Sequence, residues 1–275
     1  MEIFNNKVAI VTGGGSGIGK ALCERLARLG AKVMLSDINS EGADKAVAAI
    51  QTAGGKAEAK ILDVTDYEAF EKHIAETVAA HGQLDYIFNN AGIAIAAEFR
   101  DMELEHWQKV ININLNGVFH GSLLAYKQMV KQGYGHIINM SSLEGMVPFP
   151  TTSSYVASKY AVLGLSQALW VEGQSLGVKV SAVCPGLIRT PIFDVSPMIN
   201  IDRGKILAQY KTFQKLGITP EKCAGVILKG VVKNKPIIPV TSLAHIIWRI
   251  ARIAPVAYMK YVQNDFDKWR NTIRT

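Results

Sequence analysis

Cysteine is scarce in this chain: Cys23, Cys184 and Cys223 are scattered over 275 positions. An odd number at those spacings excludes a disulfide scaffold and a zinc-ligand motif. Free thiols suit a reducing, cytoplasmic setting, and no metal site is expected. Long apolar runs are also missing. The longest uncharged run, Val110 to Tyr126, carries three Asn, a His and a Ser, so it does not read as a spanning helix. The opening MEIFNNKVAIVTGG lacks the basic and apolar regions of a signal peptide. No low-complexity segment, fixed short repeat or Pro/Gly/Ser-rich linker divides the chain. The body has little net charge: residues 1–230 hold 22 basic and 21 acidic side chains, whereas 231–275 hold 8 and 2. The overall +7 therefore describes a basic tail. No nucleic-acid partner is expected, because the body lacks basic residues clustered with aromatics around a main site.

What recurs is a short β-branched run followed by an amphipathic stretch. Strands are expected at Lys7–Thr12, Lys32–Ser36, Lys56–Leu62, Leu84–Asn89, Gly135–Met140, Lys179–Cys184 and Pro236–Val240. Most are continuously apolar, the mark of strands covered on both faces of a parallel sheet. Between them, Ile18, Leu22, Leu26 and Leu29 share one helical face, as do Phe70, Ile74 and Val78. Gly30 and the Gly54-Gly55 pair stop their helices. Alternating elements with right-handed crossovers imply an α/β, doubly wound parallel sheet of about seven strands with helices on both faces. One domain over 1–240 is expected, with an insertion near 187–216 and an extension over 241–275.

Thr12-Gly13-Gly14-Gly15-Ser16-Gly17-Ile18-Gly19 follows the first strand and opens the first helix. Glycines permit a tight turn and close approach to a pyrophosphate, and a helix N-terminus offers free N–H groups. In that strand–turn–helix context the pattern points to a Rossmann-like dinucleotide site. Asp37 ends the second strand, 18 residues after Gly19. A carboxylate there can hold both adenosine ribose hydroxyls and would repel a 2′-phosphate, and no basic residue stands beside it, so NAD is expected over NADP. Asp37 could instead cap the next helix, but Ser40 reads as the better-placed cap.

Further residues resemble the short-chain dehydrogenase/reductase family. The glycine pattern is T-G-x-x-x-G-x-G; Asn89-Asn90-Ala91-Gly92 closes the fourth strand; Asn114 stands in INLNG; Ser142 follows the fifth strand; Tyr155-Val156-Ala157-Ser158-Lys159 is a Y-x-x-x-K motif thirteen residues on; Pro185-Gly186 follows the sixth strand, with Thr190 soon after. The resemblance runs from about residue 5 to 240. It implies an oxidoreductase moving a hydride between a nicotinamide and an alcohol or carbonyl carbon, with Asn114, Ser142, Tyr155 and Lys159 as the catalytic set. Free tyrosine, with a pKa of about 10, is a poor base at neutral pH. Lys159 lies one helical turn on, on the same face, where an ammonium favours the phenolate. Tyr155 then exchanges the alcohol proton and Ser142 holds the substrate oxygen. By resemblance Lys159 also reaches the nicotinamide ribose, and Asn114 positions a water linking it to solvent. The implied cofactor-binding set is Gly13, Ser16, Gly17, Ile18, Gly19, Asp37, Asp63, Val64, Asn90, Ala91, Gly92, Tyr155, Lys159, Pro185, Gly186, Ile188 and Thr190. Within it, Asp63 could be a turn residue and Asn90 could support the neighbouring strand.

Glu144 departs from the family, which more often has a small or apolar residue there. It could bind a polar substrate group or point outward and play no part. Leu143, Met146, Val147, Pro148, Phe149, Ile93, Ala94, Ile95, Ile192, Phe193, Met198, Ile199 and Ile206 make the surroundings apolar. A lipid-like, steroid or alicyclic secondary alcohol or ketone is therefore expected, with Ile93, Glu144, Phe149, Ile192 and Phe193 near it. In the tail, Leu243, Ile246, Ile247, Ile250 and Ile253 trace an apolar helical face beside Arg249 and Arg252. Such a helix, within 243–262, either packs on its own or a neighbouring subunit or rests peripherally on an anionic membrane. The resemblance suggests a homodimer or homotetramer, pairing through the helices of Asn114 and Tyr155, with Leu169 and Trp170 in that contact or in the core. The alternatives to an enzyme are a non-catalytic dinucleotide sensor or scaffold, or a membrane-surface protein led by the tail.

Overall fold

In the computed structural model, which describes residues 2–214 and 217–275, the apolar run after Lys7 is strand β1 (Val8–Thr12), buried along its whole length. Then follow α1 (Gly17–Arg28), β2 (Lys32–Asp37), α2 (Ser40–Thr52), β3 (Lys56–Ile61), α3 (Tyr67–His81) and β4 (Tyr86–Asn89). The second half holds β5 (Ala96–Ala97), α4 (Leu104–Ile111), α5 (Gly117–Gln132), β6 (Gly135–Met140), α6 (Ser153–Gly173) and β7 (Val178–Cys184). It closes with α7 (Ile192–Val195), β8 (Met198–Ile199), α8 (Arg203–Gln214), α9 (Pro220–Val232), β9 (Ile237–Pro239), α10 (Ser242–Ile253) and α11 (Pro255–Ile273).

Seven strands form one sheet in the order β3-β2-β1-β4-β6-β7-β9, every neighbour parallel. Leu22 and Leu26 of α1, Ala46 and Ile50 of α2, and Ile227 and Leu228 of α9 fill one face. Phe70 and Ile74 of α3 and Leu124 and Met129 of α5 fill the other, with Leu169 and Trp170 packed against them. Those two residues thus lie against the core of their own chain. Chain order reverses between β1 and β4, so the carboxyl ends of these two strands open a crevice, the usual ligand position in such sheets.

Each strand run expected from sequence forms a strand. Leu84 stays outside β4 because its N–H donates to Gln132 Oε1. The cap of α2 differs: Asn39, not Ser40, accepts the Gly42 N–H. Asp37 accepts the Asn39 N–H instead, two residues on. Two features carried no sequence signal. Residues Asn112–Asn116 form a π-helical turn between α4 and α5. β5 pairs with β8 in a two-stranded parallel ribbon that joins the loop after β4 to the insertion.

The extension folds back onto the body. Ala244 and Ala251 of α10 are buried, and Ile247, Trp248 and Tyr258 pack around Met146, Val147 and Cys184. At the far end Arg270 forks onto Glu98, Arg274 Nη1 donates to Asp101 at 2.8 Å, and the Asp202 N–H donates to the Ile273 carbonyl at 2.7 Å. Among the described residues no helix is long and apolar enough to cross a membrane.

Candidate active site

The turn after β1 takes left-handed backbone at Gly13 (φ 64°) and Gly17 (φ 51°), where glycine is favoured. A Cβ on Gly19 would stand 2.0 Å from the Gly13 carbonyl oxygen, so only glycine lets α1 start this close to the turn. Ser16 occupies the cap position of α1 without a side-chain cap bond, and Ile18 packs against the core. The helix end therefore keeps N–H groups and its positive dipole end for an anion. Asp37 Oδ2 accepts the Gly15 N–H at 2.9 Å, which ties the glycine turn to the end of β2. Thr190 lies on the other side of the turn: a Cβ on Gly17 would be 3.4 Å from its Cγ2. A turn that admits backbone but not side chains, an uncapped helix start and a carboxylate at the strand end fit a dinucleotide.

The end of β4 is locked to this turn. Thr12 Oγ1 accepts the N–H groups of Asn90 and Ala91, and Asn90 Nδ2 donates to the carbonyls of Thr12 and Gly13. Asn90 thus supports the neighbouring strand, the second of its two expected roles. Below it Asn89, Asn139, Ser122 and Ser166 form a buried hydrogen-bond row that joins β4 and β6 to α5 and α6. That row ties α5, and α6 with Tyr155 and Lys159, to the centre of the sheet.

Asn114 sits fully buried in the π turn. Such bulges often occur at functional sites. Its amide clamps one residue: Oδ1 accepts the Ile93 N–H at 2.8 Å and Nδ2 donates to the Ile93 carbonyl at 2.9 Å. Nδ2 also reaches Ser158 Oγ at 3.3 Å, and that hydroxyl donates to the Tyr155 carbonyl at 2.7 Å. Gly92 lies over this junction, where a Cβ would be 3.2 Å from Asn114 Oδ1 and 3.4 Å from Lys159 Nζ.

Lys159 is buried and donates to the Met140 carbonyl at 2.9 Å. Its ammonium lies 5.4 Å from the centre of the Tyr155 ring, on the shared face expected of residues one turn apart. Burial pulls the Lys159 pKa down to about 8, against the opposing pull of Cys184 and Glu144. Ser141 Oγ donates to the Lys159 carbonyl at 2.7 Å. Ser142 Oγ accepts the Glu144 N–H at 3.1 Å, which leaves its own proton to donate elsewhere. The Leu143 N–H donates to the Pro185 carbonyl at 2.8 Å, so the serine loop and the loop after β7 move as one. Glu144 does not point outward. Its Oε2 accepts from Thr152 Oγ1 at 2.7 Å, and burial pushes its pKa up to about 7 while Thr152 and Lys159 pull it down.

The remaining candidates divide. Asp63 is exposed and its Oδ1 accepts both the N–H and the hydroxyl of Thr65, the turn role that its position allowed. Val64 is buried, and its carbonyl is 3.0 Å from His120 Nδ1. Gly186 faces Thr241, and the Ile188 carbonyl accepts the Thr190 N–H at 2.9 Å. Phe149 is half exposed and Ile192 partly buried. The side chain of Phe193 lies outside the described residues. Ser141, Thr152 and Ser158 were not singled out in the sequence. Ser158 alone had a signal, its place inside the Y-x-x-x-K segment.

Known proteins are similar to this chain. The family model for short chain dehydrogenases matches residues 7–197. "Probable oxidoreductase EphD" of Mycobacterium tuberculosis strain H37Rv is 36% identical over 264 residues, 92% of this chain and 44% of that protein. This chain therefore spans under half the length of that relative. Cyclohexanol dehydrogenase of Acinetobacter sp. strain SE19 is 38% identical over 202 residues, 72% of this chain and 80% of that protein. Among solved structures, a short chain dehydrogenase/reductase from Burkholderia phymatum in complex with NAD superposes with a TM-score of 0.84 at 26% identity, covering 92% of this chain and 95% of that one.

Proposed function

The chain belongs to the short-chain dehydrogenase family, and from that premise we propose that it transfers a hydride between NAD, in preference to NADP, and an apolar secondary alcohol or ketone of lipid-like, steroid or alicyclic type. The observation that most supports this reading is the Lys159 ammonium 5.4 Å from the centre of the Tyr155 ring, with Asn114 linked to the same helical turn through Ser158. The turn from Gly13 to Gly19 would hold the pyrophosphate, Asp37 the adenosine ribose, and Pro185 to Thr190 the carboxamide end. When bound, the nicotinamide accepts or supplies the hydride.

The chain's own groups manage the proton. Ser142, with its oxygen already accepting from Glu144, donates to the substrate oxygen. Tyr155 takes the proton from that oxygen in oxidation and returns it in reduction. The neighbouring ammonium of Lys159 favours the phenolate that this requires. Asn114 fixes the Ile93 backbone and, through Ser158, the start of the same helical turn as Tyr155, so its side chain positions this part of the wall. The Asp37 carboxylate supports NAD, since exposed Ile38 beside it supplies no cation for a 2′-phosphate. Met146, Val147, Ala94 and Ile95 supply apolar wall, and Glu144 with Thr152 supplies one polar contact for a second oxygen of the substrate. Half-exposed Phe119 on α5 and Tyr160 on α6 support pairing of these helices in a homodimer or homotetramer. Three buried, unpaired cysteines support a reducing compartment such as the cytoplasm.

A screen of NAD reduction over alicyclic, steroid, aliphatic and sugar alcohols, repeated with NADP, tests the reading. Turnover of apolar secondary alcohols with NAD is expected, abolished by Tyr155→Phe with NAD binding retained. Turnover confined to small charged hydroxy acids overturns the substrate class. NAD binding with no turnover of any alcohol or ketone leaves the sensor reading, and full activity of Tyr155→Phe overturns the mechanism.

A further inference from the structure

Helix α10 has two unlike sides. The side against the body carries buried Ala244 and Ala251 together with partly buried Ile247 and Trp248, which pack with Met146 and Val147. Three of the four isoleucines face away. Leu243, Ile246, Ile250 and Ile253 follow one another at spacings of three and four residues on the outer side; Ile246 is 56% exposed, Ile250 50% and Ile253 85%. Val256, Met259 and Tyr261 continue the exposed apolar surface onto α11. Scattered exposed apolar residues need no explanation, but a contiguous row of them marks a contact site.

The charge around the row has one sign. From Lys222 to Asn264 the sequence has no acidic residue and seven Lys or Arg. Arg249 is exposed between Ile246 and Ile253 on the same side, Arg252 lies over the Trp248 ring at 5.9 Å, and Lys260 is exposed among the apolar residues of α11. The surface is also fixed in place. Thr241 caps α10, and the far end of α11 is held by Arg270 on Glu98 and Arg274 on Asp101.

These observations choose between occupants. A second copy meeting this face across a two-fold axis would set the patch against itself. Arg249, Arg252 and Lys260 would then face like charges, with no carboxylate in the stretch to answer them. A bilayer with anionic headgroups answers both halves of the pattern, taking the isoleucines at the acyl boundary and the cations at the phosphates. We propose that α10 and the first half of α11 form a docking face for an anionic lipid bilayer, which holds the protein at the membrane surface without spanning it.

The test is co-sedimentation of the full chain with sucrose-loaded vesicles, one set of pure phosphatidylcholine and one with a third phosphatidylglycerol, at low and high salt. Binding to the anionic vesicles is expected to exceed that to the neutral ones by about tenfold and to weaken in salt. Joint replacement of Ile246, Ile250 and Ile253 by Ser should abolish it, and Arg249→Glu with Arg252→Glu should remove the preference for the anionic set. All of these side chains are outside the site, so melting temperature and turnover of a water-soluble alcohol serve as controls and should not change. Equal pelleting with and without vesicles, or undiminished binding by both variants, overturns the proposal. So does a concentration-dependent oligomer that the isoleucine replacements dissolve, which would assign the face to a second copy.

Discussion

Thr152 Oγ1 donates to Glu144 Oε2 across 2.7 Å, and the residue just before it, Thr151, holds a left-handed φ of 67°. A β-branched residue in that region costs about 1–3 kcal/mol. The conformation is held from outside, because the Thr151 carbonyl accepts the Ala97 N–H at 2.7 Å. The β5 ribbon and Glu144 thus pin the same stretch of wall from opposite ends. Burial raises Glu144 from an ordinary 4.5 to about 7, so the folded state binds its proton more tightly than the unfolded chain does. Stability should therefore fall as pH rises from about 4.5 to about 7, by roughly 1–3 kcal/mol from this group. Glu144→Gln mimics the protonated form and should flatten that part of the stability profile, making the variant the more stable protein above neutrality. Thermal melts across this pH range check it, and parallel profiles for the two proteins would contradict the assignment.

Lys159 carries an electrostatic cost that its proposed role would explain. Its pKa is lowered from 10.5 to about 8 mainly by burial, so below pH 8 the protein holds an ammonium in a poorly solvated place. Stability from this group should rise as pH climbs from about 8 to 10.5, where the unfolded chain still binds the proton. Lys159→Met removes the charge at similar length. The expected outcome is a gain of about 1–2 kcal/mol in stability at neutral pH together with a loss of about a hundredfold or more in kcat. A variant that is less stable yet active would show that the ammonium is structural.

The sheet was legible in the sequence for a physical reason: strands covered on both faces must be apolar throughout, and runs such as Val8–Val11 and Val180–Cys184 have few other uses. The pairing of Tyr155 with Lys159 was legible as spacing, since residues one turn apart share a helical face wherever that helix lies. What stayed hidden depended on partners far along the chain. Ala96-Ala97 has no strand character of its own and pairs only because Met198-Ile199 arrives beside it. The π turn at Asn112–Asn116 keeps the hydrophobic period of a helix, so only the chain's path shows it. Asn39 and Ser40 are both good caps, and a one-residue choice between them is finer than sequence pattern resolves. The inward turn of Glu144 rests on Thr152, eight residues away. In α10 the spacing of the apolar row left its direction open; Ile247 packs inward beside Ala251, whereas Ile246, Ile250 and Ile253 are exposed.

Asp37 has one structural duty and one proposed duty, and they can be separated. Its Oδ2 accepts the Gly15 N–H and its Oδ1 the Asn39 N–H, while the proposed role of its charge is to select the ribose of NAD. Asp37→Asn keeps an acceptor for the glycine turn and removes the charge. It should lower kcat/KM with NAD by about tenfold and narrow the preference against NADP by a similar factor, with little change in melting temperature. Adding Ile38→Arg should move the preference further, because a guanidinium at that exposed position can pair a 2′-phosphate. Steady-state kinetics with both dinucleotides measure this. A wild-type protein that favours NADP would refute the role given to Asp37.

The latch on α11 makes a separable claim about the extension. Arg270 donates through Nε to both oxygens of Glu98 at 3.2 Å and through Nη2 to Oε2 at 2.7 Å, while Arg100 and Arg274 stand within 3.3 Å of the same carboxylate. Glu98 is 5% exposed, and the hydrogen bond from Arg270 above all holds its pKa below the ordinary value. Its contribution to stability is thus present at neutral pH and lost as pH falls through the depressed pKa. Arg270→Ala leaves two arginines on Glu98 and removes a solvated fork, so a modest drop in melting temperature is expected rather than the cost of a bare buried charge. Because the extension also packs against Met146 and Val147 behind Ser142, the loosened variant should show a raised KM with kcat nearly kept, and earlier cleavage in α11 under limited proteolysis. Unchanged proteolysis and KM would mean that α11 stays docked without Arg270, and that packing around Ile247, Trp248 and Tyr258 holds the extension alone.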